Sequence, residues 1–108
     1  MKYIPFKING QNYKVFFVNS DDEKLYLEGQ RIGKSYLLDG EIYIDKTLND
    51  YYMKKVLIHE VTHAFLYNYG FSQVQFDKEV ICDFLEYHAE NIINQVEEIL
   101  QKYKKYKK

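Results

Sequence analysis

The chain has 108 residues, enough for one domain with a modest core. At 46% apolar and 29% charged it has a globular composition, and its single Cys82 excludes an intrachain disulfide and any zinc ribbon built on Cys pairs. The net charge of −1 conceals an asymmetry: residues 102–108 carry five Lys and no acid, so the other 101 residues hold ten basic and sixteen acidic side chains, a balance that argues against a nucleic-acid-binding domain.

The first 46 residues read as strands. Tyr3, Phe6 and Ile8 lead into Asn9-Gly10, a strong hairpin signal, and Tyr13 to Val18 follows as the returning strand. Asn19-Ser20-Asp21-Asp22 is a turn cluster. Residues 23–35, with Gly29 and Gly33, are expected to be a loop with little regular structure. Tyr36-Leu37-Leu38, Asp39-Gly40 and Glu41 to Asp45 read as a second hairpin, with Glu41 to Asp45 as the expected sheet edge. No apolar run is long enough to cross a membrane, and the N-terminus has neither a long apolar run nor a small-residue cleavage site. The expectation is a cytoplasmic protein.

The period changes after Asp45. Thr47 and Asn49 are candidate N-caps for a helix over 50–69, which Gly70 should end. Residues 71–76 connect to a second helix over 77–103, free of Pro and Gly, and 104–108 form a basic tail. Strands followed by helices predict one α+β domain spanning 1–108. Its small antiparallel sheet of hairpins packs with the two helices.

On the first helix stands His59-Glu60-Val61-Thr62-His63, the H-E-x-x-H pattern of zinc peptidases. Residues four apart share a helix face, so both imidazoles can reach one metal ion. Glu60 can then serve as general base toward a water on that metal. With three His and nine Glu in the chain, random placement would produce the pattern with a chance of roughly 0.7%. The apolar stripe Met53, Leu57, Val61, Ala64 and Phe65 lies about 180° from the His pair at 100° per residue, so the pair looks away from this helix's core face.

A catalytic zinc takes three protein ligands and leaves one position open. Glu79, near the start of the second helix, is the favoured third ligand. Asp83, one turn on, could accept a hydrogen bond from a ligand imidazole and fix its orientation. The row Glu79, Asp83, Glu86, Glu90 and Glu97 also reads as a solvated acidic face opposite the stripe Ile81, Leu85, Ala89, Ile92, Val96 and Leu100. His88 is the rival ligand, or a packed core histidine, and Cys82 reads as a small buried side chain. Tyr36 and Tyr67 are candidates for stabilising an oxyanion.

His59-Glu60-Val61-Thr62-His63-Ala64-Phe65, followed by Glu79-Val80-Ile81-Cys82-Asp83-Phe84, resembles the gluzincin metallopeptidases. Among these it is most similar to the small ImmA/IrrE-type peptidases of bacteria, phages and integrative elements. Those also carry a strand like Ile42-Tyr43-Ile44-Asp45 before the helix. The resemblance spans about residues 36–93, and its gap from His63 to Glu79 is shorter than in many relatives.

The resemblance implies His59, His63 and Glu79 as zinc ligands, Glu60 as base and Asp83 behind them. It also implies a strand beside the active helix that pairs with an extended substrate. The function expected is a zinc-dependent endopeptidase acting on a protein or peptide substrate. By resemblance, that substrate is a regulatory protein of a phage or mobile element, with a regulatory protein as partner and neither nucleic acid nor membrane involved. The alternative is a non-catalytic, zinc-stabilised protein-interaction module, since a small chain gains folding free energy from a bound metal.

Overall fold

The computed structural model describes residues 2–26, 29, 31–71 and 77–107. The expected connection beyond Phe71 and the last tail residue lie outside them. Strand β1 (Ile4–Ile8) pairs antiparallel with β2 (Gln11–Val18) across Asn9 and Gly10. Their φ values of 52° and 81° give the two left-handed residues that a tight hairpin requires. A 3-10 turn, Glu23–Leu25, follows. Strand β3 (Gly33–Tyr36) and strand β4 (Glu41–Asp45) form the second hairpin. Helix α1 spans Asp50–Asn68 and helix α2 spans Lys78–Tyr106. No helix among the described residues is long and apolar enough to cross a membrane.

The α+β class is as the sequence predicts, but three local readings change. The sheet is mixed rather than antiparallel: its order is β1-β2-β4-β3, and β4 runs parallel to β2, with Val15 opposite Ile42 and Phe17 opposite Ile44. Strand β4 is therefore interior, and β3 is the edge in place of Glu41–Asp45. Ile42, Tyr43 and Ile44 are all buried, the pattern of a strand covered on both faces. Finally, β3 begins at Gly33, within the stretch expected to be loop, and Leu37 to Gly40 make the turn.

The helices cover the sheet face built from Ile4, Phe6, Ile8, Val15, Phe17, Ile42 and Ile44. Tyr103 of α2 stacks on Phe17 with ring centroids 3.7 Å apart. The other face carries a smaller core of Phe16, Val18, Leu25 and Tyr43. There the Tyr43 hydroxyl donates to Glu41 Oε1 at 2.9 Å. Burial first, and this bond second, push the Tyr43 phenol well above the ordinary tyrosine range.

On α2 the predicted stripe is only half covered. Ile92 and Val96 are buried with Ile99 and Tyr103, whereas Ile81 and Leu85 are 45% and 48% exposed. Helix α2 is 29 residues long, about 43 Å at 1.5 Å per residue, and its buried line runs through Phe84, Ile92, Val96, Ile99 and Tyr103, so Ile81 and Leu85 fall to one side of it. Cys82, expected buried, is exposed for the same reason. Phe84 takes the covered position there, against Phe71.

Candidate metal centre

Helix α1 is fixed at both ends by local chemistry. The Asn49 side chain accepts from Tyr52 N at 3.0 Å, which makes Asn49 the N-cap. Thr47 instead donates N and Oγ1 to the buried Asp45 carboxylate. At the far end Gly70 adopts φ +82°. Gly70 N donates to Tyr67 O at 3.2 Å and Phe71 N to Leu66 O at 2.8 Å, the paired bonds of a Schellman stop.

Between these ends, Met53, Leu57, Val61 and Ala64 are buried, while His59 and His63 are exposed on the other face, as the sequence predicts. Their Nε2 atoms converge to 3.2 Å, with ring planes 75° apart. Two imidazoles on a tetrahedral zinc at about 2.05 Å would place their nitrogens about 3.3 Å apart. The pair therefore fits one ion with little change. The same spacing serves an N–H···N bond between neutral rings, so an ion would take the place of that proton.

Glu60 points differently from its neighbours. It is 7% exposed and accepts a hydrogen bond from Ser35 Oγ on β3 at 2.6 Å. Gly33, two residues earlier on the same strand face, lies so close to α1 that a Cβ there would sit 2.5 Å from Val56 Cγ1 and 3.3 Å from Glu60 Cγ. The edge strand is thus pressed against the turn of helix that carries Glu60. Clefts open on both sides of this contact. One, of about 510 Å³, is lined by Ile32, Tyr52, Val56, His59 and Glu60. The other, of about 230 Å³, is lined by Ser35, Leu37, His59, Glu60 and His63, and Arg31 lines both.

The remaining predicted residues fall elsewhere. Glu79 and Asp83 are exposed on α2. Among the described residues no group of three His, Cys, Asp or Glu stands together as a metal cage, so the structure does not bring Glu79 to the His pair. His88 packs among aromatic rings, 4.4 Å from Tyr69 and 4.9 Å from Phe84 between centroids, which is the core-histidine alternative.

Tyr36 is corrected as an oxyanion candidate. Its hydroxyl donates to Lys24 O at 2.6 Å, and its ring packs on Tyr43 on the sheet face away from α1. The cause is strand alternation: Gly33 and Ser35 face the helix, so Tyr36 cannot. Tyr67, one turn beyond His63, is half-buried and lines a depression with Leu37 to Gly40. Sequence reasoning missed Gly33 and Ser35. Their signal was a small residue at every second position of a short polar strand, masked by the loop-like composition around it.

Compared with family models, curated proteins and solved structures, the chain matches none.

Proposed function

We propose that this chain is a zinc-dependent endopeptidase that hydrolyses a peptide bond within a protein substrate. The observation that carries this reading is the convergence of His59 and His63 Nε2 to 3.2 Å on an open helix face, in a cleft shared with the buried Glu60. Bound zinc would supply Lewis acidity toward a water and the scissile carbonyl. His59 and His63 would hold it. On the resemblance, Glu79 is proposed as third ligand and Asp83 as the carboxylate behind the ligand sphere. Glu60 would take the attacking water's proton and return it to the leaving amine. Tyr67 is the tyrosine proposed to stabilise the oxyanion.

An extended substrate would add to β3, the terminal strand of the sheet, through main-chain hydrogen bonds, with its side chains entering the clefts beside His59. On the resemblance, the substrate is a regulatory protein of a phage or mobile element and a regulatory protein is the partner. With a single thiol and no Cys pair, a cytoplasmic location is proposed as well.

The test is elemental mass spectrometry of the purified, untagged protein beside its variants. About one zinc per chain is expected. It should be kept in His88→Ala and lost in Glu79→Ala, His59→Ala and His63→Ala. Glu60→Gln should hold zinc and hydrolyse nothing. No zinc after zinc is offered would overturn the reading. Zinc held by a wild type that cleaves no peptide in a diverse library would leave the interaction module instead.

A further inference from the structure

Glu60 and Asp45 are the buried charged side chains among the described residues, and they are provided for differently. Asp45 is satisfied locally by Thr47, two residues away in the chain. Glu60 is reached from another element, by a serine 25 residues distant in sequence. At 2.6 Å the Ser35 Oγ–Glu60 Oε1 contact is a short hydroxyl–carboxylate hydrogen bond. It exists because β3 can approach α1 closely, and β3 can do so because position 33 has no side chain. Strand edge, glycine and serine together fix one oxygen of the carboxylate that follows the first histidine of the motif.

We propose that Ser35 is a positioning residue for Glu60. Its hydroxyl holds Oε1, which sets the side-chain torsion, and the other oxygen is the one that takes the proton. This rests on the hydrolytic reading above. The Ser35 hydroxyl does not act on the reacting atoms or the metal; it acts through Glu60. Threonine can replace it, because it keeps the hydroxyl and suits a strand.

The test uses the full chain as Ser35→Ala, Ser35→Thr, Glu60→Gln and the Ser35→Ala/Glu60→Gln double variant. Zinc content, urea unfolding of the metal-free protein, and kcat and KM on a quenched-fluorescent peptide library are measured for each. Ser35→Ala should keep its zinc, lose about ten- to a hundred-fold in kcat, and hold KM within about twofold. Ser35→Thr should recover most of that loss. In urea, the midpoint shift of the double variant should be smaller than the sum of the single shifts.

Additive shifts, or an active Ser35→Ala with unchanged kcat, overturn the positioning role and leave the peptidase reading standing. A Ser35→Thr variant as impaired as Ser35→Ala also overturns it. A zinc-loaded wild type that hydrolyses nothing while the urea shifts remain coupled overturns the hydrolytic reading, and the positioning role falls with it.

Discussion

Replacing Gly33 by alanine tests the contact on which the centre is built. The backbone accepts the change, because Gly33 is not among the residues with positive φ. The obstacle is space. The new Cβ would stand 2.5 Å from Val56 Cγ1, whereas carbon atoms in contact prefer about 3.5–4.0 Å. Val56 is buried on a helix and stiff at χ1, so it cannot swing aside cheaply. The strand has to retreat by about 1 Å, which stretches the Ser35–Glu60 bond beyond hydrogen-bonding length.

Overpacking costs about 1–3 kcal/mol, and loss of a bond to a buried charged group about 1.5–3 kcal/mol. Against these, alanine recovers about 0.5–1 kcal/mol of backbone entropy. The expected net loss is about 1.5–5.5 kcal/mol, read as a urea midpoint lowered by about 1–2 M. Val56→Ala alone removes two methyl-sized groups and costs about 2 kcal/mol. It also clears the atom that the new Cβ would meet, so Gly33→Ala/Val56→Ala should be little less stable than Val56→Ala, a coupling of about 1–2 kcal/mol. A Gly33→Ala protein as stable as wild type, or strictly additive single effects, would refute the close approach of β3 to α1.

Two further outcomes follow from burial and titration. Leu85→Lys should change stability by less than about 0.5 kcal/mol, because Leu85 is 48% exposed, while Ile92→Ala should cost about 2–5 kcal/mol in the same urea titration. Equal losses would mean that the Leu85 side of α2 is packed. Alkaline unfolding should begin above the ordinary tyrosine range near 10. There the unfolded chain ionises Tyr43 while the folded chain keeps it protonated, so folding stability falls as pH rises. Tyr43→Phe should flatten that fall, measured by circular dichroism across pH.

Local signals were legible wherever chemistry is local. The Asn9-Gly10 hairpin, the Asn49 cap, the Gly70 stop and the outward His59–His63 pair are each set by residues within one or two turns of chain. The half-empty stripe of α2 was not legible, because periodicity marks a face without saying whether anything covers it. Ile81 and Ile92 belong to one predicted stripe, yet Ile81 is 45% exposed while Ile92 lies in the core. The role of Glu79 was illegible for a related reason: it fits a ligand's spacing and an acidic surface row equally well.

Which strand borders α1 has a trace in the sequence, but in composition rather than spacing. Ile42-Tyr43-Ile44 is apolar at three consecutive positions, so both its faces need cover, as in a strand interior to the sheet. Gly33-Lys34-Ser35 is short and polar, the kind of strand a sheet leaves at its edge. The second hairpin therefore inserts with β4 against β2 and sends β3 outward, which is what makes the β2–β4 pair parallel. A meander in sequence order would bury the polar strand and expose the apolar one. The exchange also sets the terminal strand β3 beside α1, with Ser35 turned toward Glu60. Burial of Ile42 and Ile44 and the placement of Ser35 beside Glu60 are thus two consequences of one pairing choice.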